Sequence, residues 1–318
     1  VRIMKKKQYF LLLIGLMAVF VMPFYFYYIS PHPREIKRFG VTYMTMNNPF
    51  YEVINNELLK EIESRGDQLI VRDPLLNFTK QKEQIEQFIA MKVDGIFVNP
   101  VDSKALEPTL KKAKEAGIPV IAIDVPLSDS TSLVSTIVSD NYDAGVQCAR
   151  HIMTHYDSGT IALLKHSAVQ SASDRIRGFK DTIASDSRFR IVNEAECLGQ
   201  LEIAMPQTQQ MLQETPDVTI IMALNDPSAL GAKAALKTLD RDDVRIYGVD
   251  GTPEMKTLIG QDPSISGTVA QSPYVIGQTA IRSMYDYLEG KPVAKDIVIE
   301  VEMIDEKTIS RFSKGGWQ

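Results

Sequence analysis

Cysteine is almost absent: Cys148 and Cys197 are the only two in 318 residues, with no Cys-x-x-Cys and no ladder of Cys and His. That scarcity excludes a disulfide scaffold and argues against a zinc module, so stability must come from an apolar core. Cys148 falls in a helical pattern and Cys197 at the end of a strand pattern, so the two are expected to remain unpaired. Histidine is also scarce, with four in all. There is no G-x-S-x-G, H-E-x-x-H, Walker loop or G-x-G-x-x-G, which leaves no recognisable nucleophile, metal or phosphate machinery and points away from an enzyme.

A basic stripe is missing as well. The net charge is −5, but the first thirty residues carry Arg2, Lys5, Lys6 and Lys7 and no acid. Removing those four leaves 31 basic against 40 acidic side chains, a net −9 on the remainder. A body that acidic would repel a phosphate backbone, so no nucleic-acid partner is expected.

What is present begins with an uncharged run over residues 10–28, FLLLIGLMAVFVMPFYFYY, about as long as the ~20 residues that cross a hydrocarbon core. The Lys5-Lys6-Lys7 cluster before it should stay cytoplasmic and place the rest outside. The run ends in Tyr25-Phe26-Tyr27-Tyr28 rather than the small residues that a signal peptidase needs, and a lipoprotein-type cysteine is lacking. Pro23 is tolerable in a membrane helix. Residues 1–30 are therefore expected to be an uncleaved anchor, with a cleaved signal segment as the alternative, followed by a polar linker over 31–38.

From residue 39 onward, short β-branched runs alternate with helical patterns. FGVTYM (39–44) precedes a helix opening at Pro49, and LIV (69–71), GIFV (95–98) and PVIAID (119–124) come next, separated by helices from Thr79 and Ser103. A second series starts near Thr136, with strands at 160–164, 190–196, 218–223, 244–249 and 265–270. Its helices run over 141–155, 173–185, 201–213, 227–239 and 253–260, and a final helix (274–289) and strand (297–303) close the chain. Crossover helices of this kind imply parallel sheets, and the pattern reads as two Rossmann-like α/β domains in tandem. Ligands in such sheets bind beyond the carboxyl ends of the strands.

Those ends carry Asn47-Asn48-Pro49-Phe50-Tyr51, Asn99-Pro100, Asp124, Asn225-Asp226, Asp250 and Gln271. Any one of them has an ordinary explanation, because Asn, Asp and Gly make turns. As a set, amides and carboxylates that bridge neighbouring hydroxyls, beside aromatic faces that cover C–H patches, suit a polyhydroxylated neutral ligand.

In order and spacing, these stretches, with Ile118-Pro119-Val120-Ile121, Ser139-Asp140-Asn141, Gly248-Val249-Asp250-Gly251-Thr252-Pro253 and Ala270-Gln271-Ser272-Pro273, resemble the ribose-type periplasmic sugar-binding proteins. The resemblance runs from about residue 39 to about residue 301. It implies two α/β lobes that close on a ligand about three hinge crossings, near 138–140, 271–273 and 298–301. The first lobe would hold 39–138 plus 272–299 and the second 139–271 plus 300–318. Asn48, Phe50, Tyr51 and Asp124 would serve the site from the first lobe, and Arg175, Asn225 and Asp250 from the second, with Gln271 at a hinge. Arg175 is placed by Arg-x-x-Gly-Phe, with Arg177 as fallback. Phe50 and a second-lobe partner would sandwich the sugar ring, and Asp124, Arg175 and Asp250 would make charge-assisted bonds to hydroxyls.

Three positions depart from that pattern. Val125 stands where members close to the ribose binders have arginine, and Met44 where they have a site serine. Leu198-Gly199-Gln200-Leu201 stands where a second-lobe aromatic belongs, with Gln200 the candidate there. These departures bear on which sugar is bound, leaving a different pentose, a hexose or a polyol open beside ribose.

Sharper alternatives are weaker. Cys148, His151 and His155 share a helix face as potential metal ligands, but no neighbouring carboxylate or second cysteine completes the set, and a histidine near a helix C-terminus serves the dipole. No metal or cofactor is therefore expected. Asp124 and Asp250 as a glycosidase pair conflict with their role in the resemblance. Ribose-type repressors share the two-lobe body but carry a helix-turn-helix where this chain has an apolar segment, so an extracytoplasmic location is expected. The partner would be either an ABC permease or the ectodomain of a membrane histidine kinase, with a slight preference for the kinase if the anchor is retained.

Overall fold

The computed structural model describes residues 35–313 and 315–317 and isolated helical positions between 15 and 25. The chain divides into the units Val1–Ile36 and Lys37–Gln318, and both β-sheets belong to the second. The anchor expected over residues 10–28 lies largely outside the described residues; among those described, no helix is long and apolar enough to cross a membrane.

The first half runs β1 (Arg38–Thr42), α1 (Pro49–Ser64), β2 (Gln68–Arg72), α2 (Phe78–Ala90), β3 (Gly95–Val98), α3 (Glu107–Glu115), β4 (Val120–Ile123) and β5 (Ser135–Ser139). Then come α4 (Asn141–His155), β6 (Gly159–Lys165), α5 (Gln170–Ile183), β7 (Phe189–Glu196), α6 (Leu201–Glu214), β8 (Ile220–Ala223), α7 (Asp226–Thr238) and β9 (Arg245–Asp250). The chain closes with α8 (Pro253–Leu258), β10 (Ile265–Ala270), α9 (Pro273–Leu288), β11 (Asp296–Ile299), β12 (Glu302–Ile304) and a short 3-10 turn at Ile309–Arg311.

The strands form two six-stranded sheets, ordered β11-β5-β4-β3-β1-β2 and β12-β10-β9-β8-β6-β7. The inner strands β3, β4 and β8 are buried along their whole length, as parallel strands covered on both faces must be. Pairing is parallel throughout except for β12, which runs antiparallel to β10. In each sheet the strand order reverses beside the first strand, between β1 and β3 and between β6 and β8. The carboxyl ends at those two reversals are where an α/β sheet opens a crevice.

The chain passes between the sheets after β5, after β10 and after β11. The single strand expected over 297–303 is therefore two strands, one in each sheet. Its alternating apolar pattern is continuous, and periodicity does not report which sheet a strand joins. The link is held by Gln147, whose Nε2 donates to Val301 O at 2.9 Å while its Oε1 accepts from Met303 N at 2.8 Å. The helix expected from Ser103 begins only at Glu107, and the one expected from residue 173 begins at Gln170. Both cysteines are buried and unpaired.

Helices α4 and α5 approach unusually closely because each offers a glycine at the contact. A Cβ on Gly145 would stand 1.9 Å from the Arg175 carbonyl oxygen, and one on Gly178 would stand 2.1 Å from the Tyr142 carbonyl oxygen. This contact sets where Arg175 enters the crevice.

Candidate ligand-binding site

Helix α1 starts directly below the first strand because Asn48 caps it, its Oδ1 accepting from Phe50 N at 3.0 Å, and Pro49 occupies the first helical position. That turn aims Phe50 and Tyr51 into the crevice. Opposite, Asn225 caps α7: its Oδ1 accepts from Ser228 N at 3.0 Å and Ser228 Oγ at 2.6 Å, and its Nδ2 donates to Gly199 O at 3.0 Å. Both asparagines thus do the turn-making work that their residue type suggests.

Asn48, Phe50, Tyr51, Asp124, Arg175, Gln200, Asn225, Asp250 and Gln271 all line one cavity. The exposed Arg177 instead pairs with Asp174 at 2.8 Å.

Arg175 is 4% exposed. Its Nε donates to Asn141 Oδ1 at 2.8 Å, its Nη1 donates to Leu224 O at 2.9 Å, and Nη1 stands 3.7 Å from Asp250 Oδ1. It is the one guanidinium in the lining, set against the carboxylates of Asp124 and Asp250. Gln271 Nε2 donates to Asp250 Oδ1 at 2.7 Å, and the Asp226 amide donates to Asp250 Oδ2 at 3.3 Å. Across the cavity, Asp124 Oδ2 accepts from Tyr51 Oη at 3.2 Å and from Asn99 Nδ2 at 3.3 Å.

Burial pushes the Asp124 carboxyl up to about 6, against the pull of Arg175 and of its two hydrogen bonds. Asp250 is driven well above the carboxylate range by burial and by the charge of Asp226, again with Arg175 opposing. Asp226 lies behind the lining and is itself raised to about 6 by burial, although Thr268 Oγ1 donates to it at 2.6 Å and Thr252 N at 2.8 Å. Asp124 and Asp250 thus share the Arg175 cation, while Asp226 lies within the electrostatic reach of the buried Lys256.

Two buried acceptors in the lining, Asp124 Oδ1 and Gln271 Oε1, have no hydrogen-bond partner among the described residues. The backbone is also held away from relaxed conformations here, with φ of 66° at Asp124, 53° at Leu198 and 141° at Asp250. Strain of this kind collects where surrounding structure over-determines a side chain's position.

Among the described residues, the lining offers no Phe, Tyr or Trp from the second sheet's side to face Phe50 across the cavity. Leu198 and Val169 line the cavity from the second sheet's side, and Phe50 meets Tyr51 edge-on at 5.7 Å and Trp317 edge-on at 5.5 Å. Trp317, the chain's only tryptophan, arrives on the C-terminal tail, which buried Lys256 holds by donating from Nζ to the carbonyls of Ser313 and Gly316. No spacing rule links residue 317 to residue 50. Sequence reasoning also missed His166 in the lining, and Asn99 and Asn141, both within the motifs singled out above, brace Asp124 and Arg175 from behind.

A family model for the periplasmic binding protein domain matches residues 39–292. The chain belongs to the periplasmic binding protein family.

Among curated family members, the ribose import binding protein of Bacillus subtilis is 30% identical over 269 residues, spanning 84% of this chain and 87% of that protein. Among solved structures, an ABC transporter solute binding protein from Mycobacterium smegmatis with bound glycerol superposes with a TM-score of 0.83 at 26% identity, covering 89% of this chain and 100% of that one. A further ABC transporter solute binding protein, from Agrobacterium vitis with bound D-fucose, reaches 0.82 at 26% identity over 86% and 97% of the two chains. The cavity of this chain is lined by residues that follow strands of both sheets, among them Asp124, Asn225 and Gln271.

Proposed function

We propose that the protein is an extracytoplasmic solute-binding protein that takes a monosaccharide or polyol between its two lobes and carries out no chemistry on it. The observation behind this reading is the pair of partnerless buried acceptors, Asp124 Oδ1 and Gln271 Oε1, in a cavity that also presents Arg175 and the amides of Asn48 and Gln200. An unmet buried acceptor costs about 1–3 kcal/mol, and a hydroxyl donor meets it. Vicinal hydroxyls both donate and accept, so one small polyol can serve the acceptors and the amide donors together.

The lobes would be residues 39–138 with 272–299 and residues 139–271 with 300–318, turning about the three inter-sheet links. Asn47 spans the gap between them, its Nδ2 donating to Gln200 Oε1 at 3.1 Å. A ligand favours closure only by binding the closed arrangement more tightly than the open one.

The partner that fits best is an ABC permease, which would receive the sugar when both lobes present their closed faces. The names of the relatives, import binding proteins and transporter solute binding proteins, support it. A second reading, an anchored sensor that reports ligand to a histidine kinase ectodomain, rests on the apolar run over residues 10–28 behind three lysines.

Thermal melting of the chain against pentoses, hexoses, inositols and glycerol tests the ligand class. A ligand at 100 times its dissociation constant adds about 2.7 kcal/mol of apparent stability. Failure of every member to raise the melting temperature rejects the sugar reading. Stimulation of a reconstituted permease ATPase, against stimulation of kinase autophosphorylation, then separates the two partners.

A further inference from the structure

The far end of α4, the start of β10 and the turn after β12 enclose a groove on the second sheet's side that has no part in the sugar cavity. His151 and His155 lie one helical turn apart on α4. The carboxylate that their own helix does not supply comes from Asp305, just beyond β12. Cys148, on the same helix face, turns into the core, with its Sγ 3.7 Å from Gly248 O.

We propose that His151 Nε2, His155 Nε2 and Asp305 Oδ2 form a binding site for a transition-metal dication of the zinc class, with at least one coordination position open to the groove.

Two independent features carry it. The first is convergence. One ligand-capable atom from each of the three residues lies within 4.8 Å of the other two, and His151 Nε2 stands 3.1 Å from Asp305 Oδ2. Two ligands at about 2.0–2.2 Å on a tetrahedral zinc stand roughly 3.4 Å apart, so an ion enters between them with a few tenths of an ångström of adjustment.

The second is that each of the three residues is oriented through its other polar atom. His151 Nδ1 lies 2.9 Å from Tyr247 Oη, and His155 Nδ1 lies 2.8 Å from His151 O. Asp305 Oδ1 accepts from Lys307 N at 3.0 Å, Thr308 N at 2.8 Å and Thr308 Oγ1 at 2.8 Å, which leaves Oδ2 for the ion. Such outer contacts set the tautomer and aim the lone pair in metal sites. With the hydrogen on Nδ1, His151 donates to Tyr247 Oη and His155 donates to a backbone carbonyl, and both Nε2 lone pairs are free.

The His155 ring stacks on His151 at 3.8 Å with 13° between planes, and binding requires it to tilt so that its lone pair meets the ion. His155 is exposed and free to do so, and the i, i+4 spacing on a helix is the one at which two imidazoles share a zinc. Arg245 and Lys307 share the groove with Asp262 and Glu306, so its walls carry both signs of charge. Imidazole with one carboxylate suits zinc, nickel or copper better than magnesium or calcium. A bound ion would tie the last strand of the second sheet to α4 and, through Tyr247, to β9.

The test is calorimetric titration of zinc into the full chain after chelator treatment, together with the visible d–d absorption of Co2+ as a report on geometry. One equivalent should bind with micromolar affinity or better. His155→Ala, at an exposed position, and Asp305→Asn should each weaken binding by roughly tenfold or more, while circular dichroism and the melting temperature of His155→Ala without metal stay unchanged. Tyr247→Phe should weaken zinc binding with the ligand set intact. Absence of zinc binding to the wild-type chain, or binding that His155→Ala leaves unaltered, overturns the site. The readout is independent of the sugar cavity, so its failure leaves the sugar reading untouched.

Discussion

Asp124→Asn should make the protein more stable and a poorer sugar binder at once. The backbone tolerates the change, because asparagine accepts the left-handed conformation found there, φ 66°. With its carbonyl in the place of Oδ2, the new amide still accepts from Tyr51 and Asn99, and its NH2 takes the place of the partnerless Oδ1. The carboxyl it replaces is raised from 3.8 to about 6 by burial, which at about 1.4 kcal/mol per pH unit corresponds to roughly 3 kcal/mol. The folded protein binds this proton more tightly than the unfolded chain does. The penalty is therefore present in full above pH 6 and is relieved as pH falls from 6 towards 4. At pH 7.5 the variant should gain about 1–3 kcal/mol and melt a few degrees higher. Its excess over wild type should shrink at pH 5. Meanwhile, the loss of an ionised acceptor for a sugar hydroxyl should cost about 1.5–3 kcal/mol, a dissociation constant roughly 10–150 times weaker. Differential scanning calorimetry at the two pH values and titration of the tightest sugar measure both effects. A variant that melts below wild type at pH 7.5 and binds the sugar as tightly would refute the reasoning.

Gly145→Ala should destabilise the fold by about 1–3 kcal/mol or more and weaken sugar binding, because its Cβ meets the backbone of Arg175 and Phe179 rather than a movable side chain. Urea unfolding with unchanged stability would show that α4 and α5 can separate freely. Ending the chain after Phe312 removes both carbonyls that receive the buried Lys256 ammonium and should cost about 3 kcal/mol, part of which Lys256→Met should restore in the shortened chain. Equal melting temperatures for the full and shortened chains would argue against that tether. Cys148 and Cys197, both buried with thiols raised by burial, should resist a thiol reagent until the protein unfolds, and rapid native-state labelling would contradict their placement.

The sheets are legible in the sequence because each strand is a short apolar run bracketed by capping residues such as Asn48, Asn225 and Thr252, which are themselves sequence signals. Seven of the nine lining residues are legible for a related reason: topology places strand ends together, so residues distant in the chain can be gathered without knowing any contact, whereas Arg175 and Gln200 are placed only by the resemblance to the ribose-type sugar-binding proteins. The rest depends on pairings that no local rule encodes. β11 and β12 form one apolar run that two sheets divide between them. Trp317 reaches Phe50, Asn141 braces Arg175, and Asp305 meets His151 across 154 positions of sequence. Helical spacing alone makes Cys148 a candidate metal ligand beside the two histidines, yet the packing of that helix face turns its thiol into the core.

The third link between the sheets also sets a schedule for folding. The strands β1 to β5 are complete once Ser139 has been made, yet their sheet gains its remaining edge, β11, only roughly 160 residues later. At about 5–20 residues per second, synthesis leaves β5 without its neighbour for on the order of 8–30 s. During that interval an apolar, parallel-pairing edge is open to other chains. A holding chaperone, or passage through a membrane before folding, would cover that edge, so the fold rewards a cell that delays the first half until the last fifty residues arrive.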